Sequence, residues 1–149
     1  VEISGLFVYP IKSGAGLHVD RRELDAFGMA GDREYMVVDP DGMFLTQREA
    51  PKLALVQPVL ADGLRLETPV GSAIARPSGR RQVTVWEHTG AAIDCGDEVA
   101  DLLSALLERP CRLVKTAPDH RRPTEFGGGQ VGFADGFPLL IISESSLAH

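Results

Sequence analysis

Lys12, Ser13 and Arg33 are the residues of this chain best suited to hold an anion. Lysine supplies a point charge, serine a hydroxyl donor, and arginine a planar fork that matches phosphate. Lys12 and Ser13 end the apolar run Val8-Tyr9-Pro10-Ile11, and Arg33 follows Gly31-Asp32 just before Glu34-Tyr35-Met36-Val37-Val38. Both flanks read as buried strands, so the polar residues sit where strands end. Gly14-Ala15-Gly16 comes next, and small residues let a ligand approach the backbone closely. Groups of this kind on rigid elements suit a cofactor binder. The plain alternative is a solvated surface lysine and a local Asp32–Arg33 ion pair worth about 0–1 kcal/mol.

Other reactive residue types form no constellation. His18, His88, His120 and His149 stand apart from one another and from both cysteines, so a zinc site is not expected. Cys95 precedes a helix start, which can lower a thiol pKa, but no base accompanies it in sequence. Cys95 and Cys111 are expected to be reduced thiols. Gly127-Gly128-Gly129 lacks the Gly-Lys-Ser/Thr of a phosphate loop. Asp119-His120-Arg121-Arg122 reads as a solvated stretch. No catalytic or metal-binding residue is assigned.

The elements that must position the anion-binding residues are mostly strands. Glu2–Tyr9, Glu34–Val38, Met43–Thr46 and Leu53–Leu60 read as strands of one curved sheet, with Asp39-Pro40-Asp41-Gly42 and Ala61-Asp62-Gly63 as turns. Leu64–Thr68, Val70–Ala75, Gln82–Trp86 and Cys111–Lys115 read as further strands, and His88-Thr89-Gly90 as a turn. Val99, Leu102, Leu103, Leu106 and Leu107 follow the stripe of an amphipathic helix over about Asp97–Glu108. Arg109-Pro110 ends it. Two prolines, three consecutive glycines and clustered charges in residues 117–130 predict a flexible loop. A second helix starts at about Ser143.

Composition sets the outer bounds. A chain of 149 residues with 44% hydrophobic side chains can bury a core. Its 16 glycines and 10 prolines predict many turns. A net charge of −6 argues against non-specific nucleic-acid binding. No apolar run is long enough for a membrane span. No signal peptide is read at the start, which predicts a cytoplasmic location.

Tyr9-Pro10-Ile11-Lys12-Ser13, Gly31-Asp32-Arg33-Glu34-Tyr35-Met36-Val37-Val38 and Phe44-Leu45-Thr46-Gln47-Arg48 occur in order. Together they resemble the N-terminal β-barrel domain that precedes the MOSC (molybdenum cofactor sulfurase C-terminal) domain. That pair is found in the mitochondrial amidoxime reducing component and its bacterial relatives. Phe133-Ala134-Asp135-Gly136-Phe137-Pro138-Leu139-Leu140-Ile141-Ile142-Ser143 resembles the first strand of the MOSC domain itself. The resemblance is weakest between Leu60 and Gln82.

The resemblance implies an α+β, β-rich fold: a β-barrel-like domain with one clear amphipathic helix. It implies a barrel domain at 1–116, a linker at 117–130 and the start of a truncated MOSC domain at 131–149. Lys12 and Ser13 would contact a molybdopterin cofactor, with its phosphate on the lysine, and Arg33 would lie on the cofactor side. Thr46 and Arg48 would add donors, and Gly136 and Phe137 would line the pocket. Gly14 departs from the cysteine often found there, which is not the metal ligand. The molybdenum-binding cysteine of the family lies deep in the MOSC domain, beyond Ser143. The chain is therefore expected to bind no cofactor and to be inactive alone, an accessory domain partnered by the rest of a MOSC domain, in cis or in trans, and by a redox partner. The alternative is a non-catalytic β-barrel that recognises a substrate or a protein.

Overall fold

Tyr35-Met36-Val37-Val38 buries all four residues, and its two faces feed two separate cores. A strand apolar at every position needs cover on both sides. A computed structural model describes residues 2–148. Val1 and His149, the ends of the expected 1–116 and 131–149 segments, lie outside the described residues.

The chain runs β1 (Leu6–Val8), β2 (Leu17–Val19), β3 (Leu24–Asp25), β4 (Gly28–Met29), β5 (Tyr35–Val38), a 3-10 helix (Pro51–Leu55), β6 (Gln57–Ala61) and β7 (Gly63–Thr68). It continues through β8 (Gly71–Ile74), β9 (Gly79–Val85), β10 (His88–Asp94), α1 (Asp97–Leu107), β11 (Arg112–Thr116) and α2 (Glu144–Leu147). The central sheet has the order β5-β11-β10-β9, and β6-β7-β8 form a second sheet; β1-β2 and β3-β4 are two-stranded. All these strand pairs are antiparallel.

Side chains alternate across β5 and β11 with period 2. Tyr35, Val37 and Leu113 face a core shared with Val99, Leu103 and Leu106 of α1 and with Leu64 and Leu66 of β7. Met36, Val38 and Val114 face the other core, with Val83, Val85, Ala92 and Phe133. The helix keeps its expected stripe and ends at Glu108, which adopts a left-handed conformation before Arg109-Pro110. Its N-terminus has no side-chain cap; Asp97 and Glu98 fill the first turn, where the dipole favours negative charge.

The expected barrel needs correction. The fold is α+β and β-rich, but among the described residues no sheet closes on itself, and the four expected strands do not share one sheet. β5 and β9 remain the edges of the central sheet. Residues 43 to 45 reach both edges only through isolated bridges, Val38 with Phe44 and Met43 with Thr84. The cause is local. Asp39 Oδ1 accepts from the Asp41 and Met43 amides at 2.9 Å each, closing a tight turn. Gly42 then packs against β9, where a Cβ would stand 2.5 Å from the Gln82 carbonyl oxygen. Beyond Leu45 the Thr46 amide donates to Glu49 Oε1 at 3.0 Å and turns the chain away. Too few extended residues remain for a ladder.

Two smaller expectations also move. Leu53–Leu55 forms part of a 3-10 helix rather than a strand, because Pro51 suits a first helical turn. The turn expected at His88–Gly90 lies earlier, at Trp86-Glu87, and His88 already belongs to β10. Residues 117–130 fold back on the domain, and His120 and Arg122 are buried rather than solvated.

Candidate functional site

Pro10 ends β1 and frees the next residues to reach β5. The Lys12 amide donates to the Tyr35 carbonyl at 2.8 Å, and the Tyr35 amide to the Pro10 carbonyl at 3.0 Å. The Arg33 amide donates to the Tyr9 carbonyl at 2.7 Å. The turn carrying Lys12 and the turn carrying Arg33 are therefore laced together by backbone bonds. Both fall beside the same strand.

Lys12 is only 6% exposed. Its Nζ lies 5.6 Å from the ring centroids of both Phe44 and Trp86, within cation–π range, and pairs with the Asp135 carboxylate. Burial lowers the Lys12 pKa. The Asp135 hydrogen bond and charge oppose that, while the Arg122 and Arg33 charges add to it. Arg33 thus acts electrostatically on Lys12. Its guanidinium pairs with Asp32 and lies 5.8 Å from the Tyr9 ring centroid. Burial raises the Asp32 pKa against the Tyr9 amide and Arg33, which both favour its charged form. The local Asp32–Arg33 pair is therefore present, and Arg33 also stacks near Tyr9.

Backbone conformation marks the same region. Ser13, Arg33, Trp86 and Glu108 are non-glycine residues with positive φ, at 66°, 44°, 52° and 56°. The first three belong to the turns around Lys12. Left-handed non-glycine backbone costs roughly 1–3 kcal/mol each and clusters at functional sites.

The other expected residues are placed differently. Thr46 and Arg48 hydrogen-bond within their own turn, Arg48 N–H to Thr46 Oγ1 at 3.3 Å. The residue between them, Gln47, reaches the Lys12–Ser13 turn and donates from Nε2 to the Ser13 carbonyl at 2.8 Å. Phe137 is half exposed. Phe44, Trp86, Arg122 and Asp135 were missed by sequence reasoning. The single tryptophan, at the tip of a hairpin, was a usable signal, and so was the place of Phe44 and Asp135 inside segments that carry the family resemblance; Arg122 carried none.

Neither thiol is placed to act as a nucleophile. Cys95 and Cys111 are buried, and burial first, then the Asp94 charge, pushes Cys95 up to about 12. Among the described residues no group of three His, Cys, Asp or Glu side chains stands at metal-binding geometry. An ammonium and a guanidinium, carried on turns joined by backbone hydrogen bonds, are donor types suited to a phosphate.

The family described as the MOSC N-terminal beta barrel domain matches residues 1–110. A molybdenum cofactor sulfurase of Danio rerio is 37% identical over 96% of this chain and 18% of its own length. Mitochondrial amidoxime-reducing component 1 of Homo sapiens is 30% identical over 98% of this chain and 49% of its own. The solution structure of a Bordetella bronchiseptica protein superposes with a TM-score of 0.51 at 27% identity, covering 64% of this chain and 86% of that one. The chain thus spans less than a fifth of the sulfurase and about half of the amidoxime-reducing relative. The expected cytoplasmic location is overturned by the relatives named mitochondrial. It was read from a missing leader, and a leader removed on import leaves no trace in the folded domain. Profile and relatives agree, and the chain belongs to the MOSC N-terminal beta barrel domain family.

Proposed function

We propose that this chain is the cofactor-anchoring accessory domain of a MOSC-type molybdenum protein, with Lys12, Ser13 and Arg33 contacting the phosphate of a molybdopterin. The observation that carries this reading is the buried Lys12 ammonium on a turn whose backbone is hydrogen-bonded to the turn that carries Arg33. Burying an ammonium is costly, and a buried charge on a turn joined to a second cation-bearing turn suits an anionic ligand. When bound, the cofactor supplies the redox chemistry at molybdenum. This chain's residues hold and orient its phosphate end.

The domain plan is 1–116 for the β-rich unit, 117–130 as the connecting stretch and 131–149 as the start of a MOSC domain. The remainder of that domain is the partner, in cis or in trans. The apolar run Leu139–Ile142, with Ile141 93% exposed, is the surface assigned to it. Reduction of N-hydroxylated substrates or sulfur handling, with any redox partner, belongs to the longer protein.

Titration of the chain with inorganic phosphate, followed by amide chemical shifts, tests the anion site. Shifts are expected at Lys12–Gly16 and Arg33 and should vanish in Arg33→Ala. Shifts spread over the surface, or unchanged in Arg33→Ala, overturn the reading.

A further inference from the structure

Asp135 occupies the position an anion would take. Its carboxylate pairs with Lys12 and accepts from Trp86 Nε1–H at 3.1 Å. The Lys12 side chain is 7% exposed and that of Asp135 76%, so the pair joins a buried ammonium to a solvent-exposed carboxylate.

The backbone that carries Asp135 is firmly held. Buried Arg122 donates from Nη1 to the Gly132 and Ala134 carbonyls and from Nη2 to the Asp135 carbonyl at 2.6 Å. The Phe133 amide donates to the Arg33 carbonyl at 2.8 Å. Among the described residues the Asp135 side chain has only Lys12 and Trp86 as hydrogen-bond partners. It can rotate into solvent without disturbing the clamp that anchors its backbone.

We propose that Asp135 is a built-in competitor for the anion site, an internal carboxylate that a phosphate must displace from Lys12. The inference rests on the phosphate reading of Lys12 and Arg33. A phosphate dianion brings more charge to Lys12 and Arg33 than the Asp135 monoanion, which ion-pairs with Lys12 and feels the Arg33 charge. The carboxylate therefore satisfies the buried ammonium when the site is empty and yields to a more highly charged ligand. It also discriminates against ligands with a single carboxylate, which gain nothing by the exchange.

The test is Asp135→Asn against wild type, titrated with inorganic phosphate. The Trp86 indole N–H resonance and the Lys12–Gly16 amides are the readouts. Asparagine keeps the size of the side chain and an acceptor for Trp86, and the position is exposed, so the fold is retained. Phosphate is expected to move the Trp86 indole resonance of the wild type as Asp135 leaves. The variant is expected to bind about fivefold tighter, the factor of one lost ion pair. Equal or weaker phosphate binding by the variant overturns the competitor role and leaves the phosphate reading standing. Phosphate shifts in neither protein overturn both.

Discussion

The Phe133 amide donates to the Arg33 carbonyl at 2.8 Å, and the Phe133 ring is fully buried against Met36, Val38 and Val114. A residue beyond the matched 1–110 span thus fills the second core and fixes the backbone of a candidate site residue. Phe133→Ala is expected to cost about 3–5 kcal/mol in denaturant unfolding, as a large buried aromatic does. Gly132→Ala addresses the same junction differently: its Cβ would stand 2.9 Å from the Arg33 carbonyl oxygen. A smaller loss, about 1–3 kcal/mol, with shifted amides at Arg33, is expected there. Wild-type stability in Phe133→Ala would remove the segment from the core.

The elements that could be read from sequence are the locally determined ones. The stripe Val99, Leu103, Leu106 and the Arg109-Pro110 stop placed α1, and Ser143 was legible as the start of α2, whose Ser146 amide it accepts. Gly63 marked the β6–β7 hairpin. Sheet partnership was not legible, because period-2 apolar runs name a face and not a neighbour. The same limit governs the site. Lys12, Ser13 and Arg33 were visible as residue types, and the backbone bonds through Tyr9 and Tyr35 bring their turns together. Asp135, 123 positions from Lys12, could not be tied to it by any local pattern. Arg122 looked solvated because its partners are backbone carbonyls, which leave no mark in a sequence.

The thiols offer a direct check of burial. Cys95, pushed up to about 12, carries almost no thiolate at pH 8, and burial raises the Cys111 thiol and shields it from reagent. Native protein is expected to react with an aromatic disulfide reagent at least about a hundredfold more slowly than free cysteine. Both thiols should react at once in denaturant. Fast labelling of one thiol in native protein would contradict its placement.

Asp94 ties β10 to its neighbours. Burial pushes its carboxyl up, but hydrogen bonds from Arg112, the Gly96 amide and Arg81 outweigh that and hold it well below the usual carboxylate range. A carboxylate depressed in the folded state contributes stability above its unfolded pKa of about 3.9, lost as pH falls through the folded value. Asp94→Asn is therefore expected to cost about 1.5–3 kcal/mol at pH 7, as for a hydrogen bond to a charged group. The gap between wild type and variant should stay level from pH 7 to 5 and narrow below about pH 4. Urea midpoints at several pH values measure it. A gap unchanged at acid pH would mean the charge is not what holds β10 to β11.

Lys12→Met separates stability from ligand binding. Burial already lowers the Lys12 pKa, so keeping the ammonium charged in the fold is costly. Methionine has a similar length and packs well against aromatic rings such as Phe44 and Trp86. The abandoned partner, Asp135, is exposed and can be solvated, so no buried charge is left unpaired. The variant is expected to unfold within about 1 kcal/mol of wild type, or later, because an apolar replacement for a buried charge is often neutral or stabilising. Phosphate-induced shifts at Ser13–Gly16 should disappear at the same time. This combination, stability kept and binding lost, would mark Lys12 as retained for a ligand. A large stability loss with phosphate binding intact would instead make the lysine a structural residue that holds Asp135 in place.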